Sequence, residues 1–339
     1  MVGKPKLETV AKEAGVSVPT VSQVLRGTGR ISEKTRKKVL QVARKLNYVP
    51  DNRAATMRLG QNREIGFSIQ NMANPFNAEV ILGASDLLED EGFLISVLDA
   101  RGDPDRQVKH IEAFIGNGRG GLLWVPALGT PERTFDLLRT HRVPTVTFLR
   151  RSAFGDFDHV GIRNSEATAT ATRYLATLGH SEIAYLGGTE MTSVRRERIQ
   201  GYRQALLELG VGPARVFDSN DTKIAGLQST LDLLRDNPEV TALVCNGDMV
   251  ALGACLALLR SGRRPGHDVS VIGFDDIQDA AVATPPLTTM AVSPYQLGRR
   301  LAQVLLERLK RPDMPLTISE VEATLVIRDS SGAPLSAAD

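Results

Sequence analysis

Thr9-Val10-Ala11-Lys12-Glu13-Ala14-Gly15-Val16-Ser17-Val18-Pro19-Thr20-Val21-Ser22-Gln23-Val24-Leu25 reads as two short helices joined by a tight turn. Ala11 and Ala14 keep the first helix slim where a neighbour must pack closely, Gly15 permits the turn, and Val16 fills the space beneath it. Ser17 is a good N-cap for the second helix, and Pro19 is tolerated there because first-turn amides have no intrahelical acceptor. Val21, Val24 and Leu25 form one apolar stripe, which leaves Val18, Pro19, Ser22, Gln23 and Arg26 on the opposite face, free to enter a major groove. Gln23 has the geometry to read adenine through N6 and N7, Arg26 suits guanine or a phosphate, and Val18 a thymine methyl. Ser17 and Thr20 are placed to hold phosphates. The segment is a helix-turn-helix pattern; an ordinary helical hairpin with a polar surface is the alternative.

Charge favours the first reading. Residues 1–60 hold 13 lysines and arginines against 4 acidic residues, while the other 279 residues hold 28 against 35. Such asymmetry points to a basic module for a polyanion attached to a mildly acidic body. A third helix starts at Ser32, whose hydroxyl can cap it; Arg36, Val39, Leu40, Val42, Ala43 and Leu46 close the small core, and Lys34, Lys37 and Lys38 stay exposed.

From Glu64 onward short apolar runs alternate with amphipathic helices, the signature of parallel βαβ units. Candidate strands are Ile65 to Ile69, Leu94 to Leu98, Gly121 to Val125, Val143 to Phe148, Glu182 to Leu186, Ala242 to Cys245 and Val269 to Phe274. The expected architecture is a small all-α helix-turn-helix DNA-binding domain (1–50), a linker (51–63) and an α/β domain of two doubly wound lobes (64–339), like that of periplasmic binding proteins. In open α/β sheets ligands sit beyond the carboxyl ends of strands. Asn74-Pro75-Phe76 follows the first strand, Arg150 the fourth, and Asp275 the strand ending near Phe274, so these ends should converge on one cleft.

Other signals lead away from catalysis. Gly116-Asn117-Gly118-Arg119-Gly120-Gly121 satisfies G-x-G-x-x-G but precedes its strand, so it lacks the strand-then-helix geometry that cradles a pyrophosphate. No GxSxG elbow, HExxH or Walker sequence occurs, His159 and His180 are isolated, and His180 reads as a helix C-terminal cap. Cys245 and Cys255 read as buried thiols of a reducing cytoplasm, so neither cofactor nor metal is expected. Met1 to Lys6 lack the apolar region of an export signal, and no apolar run approaches the length of a membrane span. A solute-binding protein of the same bilobed fold would carry such a signal and no groove-reading helix.

The run Thr9 to Leu25, then Arg30-Ile31-Ser32-Glu33-Lys34-Thr35-Arg36, then Leu46-Asn47-Tyr48-Val49-Pro50 resembles the N-terminal domain of the lac and galactose repressor family, and the resemblance continues to about residue 328. It implies a homodimeric, sequence-specific transcriptional regulator that binds near-palindromic operator DNA and responds to a small-molecule effector. Asp51 to Leu59 is helix-compatible yet shorter than the ~12 residues at which an isolated helix becomes marginal in water. In the resembled family this segment is a hinge helix that pairs with its dimer mate in the minor groove and wedges an apolar side chain between bases. Met57 stands where that family usually has leucine, and Ala54 would sit where the two hinge helices touch.

The resemblance also extends to the cleft. Arg198-Ile199-Gln200-Gly201-Tyr202 matches the family's Arg-x-x-Gly-aromatic pattern, whose arginine holds the ligand, and Gly273-Phe274-Asp275-Asp276 matches its Gly-aromatic-Asp element, whose first aspartate accepts from ligand hydroxyls or amines. Phe76 would pack on the ligand. Two positions depart from the pattern: Arg163 stands where an acid is common, and Gly247 interrupts the usual Asn-Asp pair after Asn246. An arginine at 163, near Arg150 and Arg198, favours an anionic sugar derivative over a neutral sugar. The tail from Asp329 to Asp339 carries no leucine heptads, so dimers without a tail-mediated tetramer are expected.

Overall fold

Gly15 takes a left-handed conformation, φ 64° and ψ 38°, and its N–H turns back onto the carbonyls of Ala11 and Lys12, which ends α1 (Leu7–Ala14) and opens the turn. The Ser17 hydroxyl accepts from the Thr20 amide at 3.3 Å and caps α2 (Val18–Leu25); Ser32 accepts from Thr35 at 3.2 Å and caps α3 (Glu33–Lys45). Val10, Ala11, Ala14, Val21, Val24, Val39 and Ala43 are the buried core of this unit. With no buried side chain larger than valine, the three helices approach closely. Leu40 departs from expectation: it is 37% exposed. Val39 and Ala43 share the inward face, and one residue beyond Val39 the helix has rotated about 100°, which carries Leu40 outward.

The computed structural model describes residues 5–49, 62–152, 154–189 and 192–335. Two units are present, divided between Asn62 and Arg63. Ala54 and Met57 lie outside the described residues.

The second unit holds, in chain order among the described residues, β1 (Glu64–Ile69), β2 (Leu94–Asp99), β3 (Gly121–Trp124), β4 (Thr145–Phe148), β5 (Asp158–Ile162), β6 (Ile183–Leu186), β7 (Arg215–Phe217), β8 (Ala242–Cys245), β9 (Ser270–Asp275), β10 (Thr288–Ala291), β11 (Ile318–Val321) and β12 (Thr324–Val326). They form two six-stranded sheets, β11-β5-β4-β3-β1-β2 and β12-β10-β9-β8-β6-β7. Every pairing is parallel except β10 with β12. Inner strands such as β3, β4, β6 and β8 are buried along their whole length, as expected when helices cover both faces.

Each sheet is the centre of one lobe, and the chain passes between lobes at Arg163, at Val292–Ser293 and at Glu322–Ala323. β5 escaped the sequence reading because Asp158 and His159 break its apolar run. Both are buried with partners: Arg308 donates to both Asp158 oxygens at 2.7 and 2.9 Å, and the His159 ring meets the Thr147 hydroxyl at 3.0 Å.

In the first lobe the Pro75–Asp90 helix crosses the Pro294–Lys310 helix at two glycines. A Cβ on Gly83 would lie 1.9 Å from the Tyr295 carbonyl oxygen, and one on Gly298 1.9 Å from that of Val80. Backbone cannot yield as a flexible side chain would. Gly298→Ala is expected to cost about 1–3 kcal/mol of unfolding free energy through overpacking. Urea denaturation checks it against Gly116→Ala, where a Cβ would meet nothing within 4 Å.

Candidate functional site

The carboxyl ends of the inner strands open onto a cleft between the lobes. Gln70, Asn71, Asn74, Phe76 and Arg150 line it from the first lobe, and Arg195, Arg198, Asn220, Asp221, Asn246 and Asp275 from the second. The structure thus brings Asn74, Phe76, Arg150, Arg198 and Asp275 together.

Asn74 caps the Pro75–Asp90 helix, its side-chain oxygen accepting from the Phe76 amide at 3.0 Å. This fixes Phe76 at the mouth of the helix, its ring stacked on Phe148 at 6.2 Å with 11° between planes. Only 4% of Phe76 is exposed, so it forms part of a floor. The Arg150 guanidinium donates to the Pro126 carbonyl at 3.1 Å.

Arg198 is 5% exposed. Its Nε donates to Asn164 Oδ1 at 2.9 Å, its Nη1 donates to the Asn246 carbonyl, and its Cζ lies 3.5 Å from the centroid of the Phe274 ring. The cation is therefore desolvated, stacked and held in one plane. Gly201, the glycine of the Arg-x-x-Gly pattern, has a packing role: a Cβ there would lie 2.0 Å from the Ser165 carbonyl oxygen. That close approach brings Asn164 within reach of Arg198.

Asp275 ends β9 at φ 118°, a conformation that side chains rarely adopt. Burial raises its carboxyl well above the usual carboxylate range, against the opposing pull of Arg198. Beneath it, buried Asp248 accepts from the Thr289 hydroxyl at 2.6 Å and the Ile277 amide at 2.9 Å. Burial nonetheless pushes the Asp248 carboxyl up to about 7. Gly273 leaves the necessary space, since a Cβ there would lie 2.1 Å from Asp248 Oδ1. Tyr185 donates to Asn246 Oδ1 at 2.7 Å, and Asn246 Nδ2 donates to Asp221 at 2.9 Å. Amides, carboxylates and guanidinium groups together offer both donors and acceptors, as a ligand rich in hydroxyls requires.

The raised Asp248 carboxyl has a consequence for stability. Between its unfolded value of ~4 and its folded value of about 7, the native state keeps a proton that the unfolded chain releases. Its contribution is complete below the unfolded value and lost as pH rises to 7. The margin of the parent over an Asp248→Asn chain should therefore shrink from pH 5 to pH 7, measured by urea denaturation at each pH. Buried His159, lowered to about 4 by burial, acts in the opposite direction but is common to both chains. An equal margin at both pH values would contradict the assignment.

Three sequence expectations are corrected here. Arg163 does not line the cleft: it sits where the chain first crosses between lobes and pairs with Glu322 at 2.9 Å and Glu166 at 3.5 Å. Val18 is half-buried and packs on the small three-helix core, so less of it faces outward than expected. The buried His180 ring does not cap its helix; it bonds the Thr241 hydroxyl at 2.8 Å, the Ser270 hydroxyl at 3.0 Å and the Gly332 carbonyl at 2.9 Å.

On α2, Ser17, Pro19, Gln23 and Arg26 are exposed, and Thr20 and Ser22 are half-buried. The Ser17 and Thr20 hydroxyls lie 2.9 Å apart, and Arg26 donates to the Ser22 hydroxyl at 2.7 Å.

Residues 6–51 match bacterial regulatory proteins of the lacI family, and residues 172–331 match a periplasmic binding protein-like domain. The HTH-type transcriptional repressor PurR of Vibrio cholerae serotype O1 (strain M66-2) is 30% identical over 96% of this chain and 97% of its own. The chain belongs to the lacI family. The maltose regulon regulatory protein MalI of Escherichia coli (strain K12) shares 30% identity with this lacI-family chain, over 90% of it and 93% of MalI. Among solved structures, the lac repressor dimer bound to operator and the anti-inducer ONPF superposes with a TM-score of 0.83 at 26% identity, covering 97% of this chain and 99% of that one.

The lacI-family cleft also contains one residue the sequence left open and three it did not point to. Asn246, whose role the interrupting Gly247 left open, lines the cleft directly after β8. Asn220 and Asp221 follow β7, a three-residue strand too short to recognise. Arg195 lies one turn before Arg198, with its Nε donating to the Gly187 carbonyl at 2.9 Å and its Nη2 donating to Asp218 at 2.5 Å.

Proposed function

We propose that this chain is a homodimeric transcriptional repressor of the cytoplasm, without enzymatic activity, whose hold on a near-palindromic operator changes when a polyhydroxylated small molecule occupies the cleft. The observation that carries this reading is the pairing, in one chain, of a basic unit whose capped α2 exposes Gln23 and Arg26 with a cleft built around Arg198 and Asp275. Two copies would hold their α2 helices ~34 Å apart, one turn of DNA. Ala54 and Met57 would carry the hinge contact and the minor-groove wedge. Dimerisation is supported by an apolar face of the second lobe, where Val282 is 81% exposed beside Leu252 and Leu256 and the Lys223–Asp279 ion pair.

The effector we favour is a neutral sugar. With Arg163 paired to Glu322, the anionic preference loses its main support, and Asp221 stands in the cleft among the arginines that remain. A relative of the same fold, the transcriptional regulator CelR, 28% identical with a TM-score of 0.72 over 96% of this chain and 99% of its own, was solved as a cellobiose complex. Calorimetry with neutral and acidic sugars tests the preference, and tight binding of acidic sugars alone would end it. A hundredfold change in operator affinity requires about 2.7 kcal/mol of coupling between cleft and DNA.

The test of the whole reading is a gel shift against the chain's own upstream DNA. Full-length protein should retard the fragment, and a version lacking residues 1–62 should lose DNA and keep its sugar. Within the same experiment Met57→Gly should lose operator bending. A full-length chain that ignores every duplex at modest ionic strength would remove the regulator reading.

A further inference from the structure

The chain leaves β9 through Asp275-Asp276-Ile277-Gln278, with two consecutive residues at positive φ, 118° and 56°. Such backbone persists only where its surroundings over-determine it. Three contacts hold the turn. The Ile277 amide donates to Asp248 at 2.9 Å, Arg328 pairs with Asp276 at 2.7 Å, and the Gln278 amide donates to Glu79 Oε1 at 3.3 Å. Asp248 and Arg328 belong to the same lobe as the turn. Glu79 belongs to the other: it stands on the Pro75–Asp90 helix, three residues beyond Phe76.

This hydrogen bond therefore spans the lobes away from the crossovers. At one end it reaches the turn that presents Asp275, and at the other the helix that presents Asn74 and Phe76. We infer that Glu79 is an interlobe clasp, a positioning residue that holds the lobes together across the cleft and links its occupancy to their relative angle. The link to occupancy rests on reading the cleft as the effector site. Opening the lobes strips the Gln278 amide of its acceptor. A ligand that bonds both Asp275 and the mouth of the Pro75–Asp90 helix grips the same two elements that the clasp joins, and so favours the closed form. The plain alternative is a local contact that ends a helix and leaves the lobe angle unchanged.

The test needs no ligand. Nitroxides are placed on full-length protein through Arg133→Cys in the first lobe and Arg235→Cys in the second, whose side chains are 73% and 67% exposed; native Cys245 and Cys255 are buried. Electron–electron resonance then reads the interlobe distance. Glu79→Ala should move the distribution to longer distances, and Glu79→Gln, which keeps a carbonyl acceptor, should stay near the parent.

Gln278→Pro is the second variant. It deletes the donor at the first position of its short helix, where proline is accepted, behind an Ile277 already extended at φ −64° and ψ 158°. It should open the lobes as Glu79→Ala does. Hydrogen exchange across residues 276–282 should quicken about tenfold in Glu79→Ala, equivalent to about 1.4 kcal/mol, with the Pro294–Lys310 helix unchanged. Parent-like distances and exchange in Glu79→Ala and Gln278→Pro would overturn the clasp. Failure of sugars to bind would instead count against the effector reading and leave these distances as they are.

Discussion

An Arg198→Met chain should bind its sugar at least about 100-fold more weakly than the parent, a loss of about 2.7 kcal/mol. The size follows from what the guanidinium does. It is a buried cation with donors committed to Asn164 and Asn246, and it flanks the buried Asp275 carboxyl. Hydrogen bonds to charged groups contribute roughly 1.5–3 kcal/mol each, and losing both the ligand contact and the alignment of Asn246 exceeds one of them. Methionine keeps the apolar contact with Phe274 but not the charge.

Folding should suffer less. Removing a buried charge recovers desolvation energy while leaving two acceptors unpaired, so the net cost should be about 1–3 kcal/mol. Calorimetry, with the sugar first found by a thermal-shift screen, gives the affinity, and urea denaturation gives the stability. Operator binding without ligand should equal the parent's. Unchanged affinity would place the ligand away from Arg198.

The difference between legible and illegible features is one of range. Gly15, Ser17 and Ser32 were readable because a left-handed turn and an N-cap are settled by neighbours within a few residues. The place of Asp275 at the cleft was readable because it closes an apolar strand. Arg163 misled for the same reason. It too stands at a strand end, but β5 is where the chain leaves the lobe, and the partner that fixes Arg163, Glu322, lies 159 residues away. β5 itself was hidden because Asp158 finds Arg308 at a separation of 150 residues, so a charge sits comfortably in a buried strand. Glu79 gave no signal at all. Its partner is a backbone amide 199 residues on, and a backbone amide has no sequence signature.

The second large effect is expected on α2. Gln23→Ala should weaken operator binding about 10- to 100-fold, the roughly 1–3 kcal/mol of one bidentate base contact, and should relax preference at one base pair per half-site. Binding to unrelated duplex should hardly change. Gln23 is exposed and sits beside Gly29, where a Cβ would come within 2.8 Å of its Oε1, so Gly29 leaves the side chain room to reorient.

Arg26 is the more informative comparison, because its Nε and Nη2 donate to the carbonyl and hydroxyl of Ser22. If it reads guanine, Arg26→Ala should lose specific affinity and leave the salt dependence nearly intact. If it holds a phosphate, the loss should be uniform across sequences and the salt slope should fall by about 1, as it should for Lys37→Ala. Filter binding at several salt concentrations, on operator and on scrambled duplex, separates the outcomes. A Gln23→Ala chain that keeps full preference for its operator would mean that α2 meets DNA through its backbone and phosphate contacts alone, and that the sequence is read elsewhere.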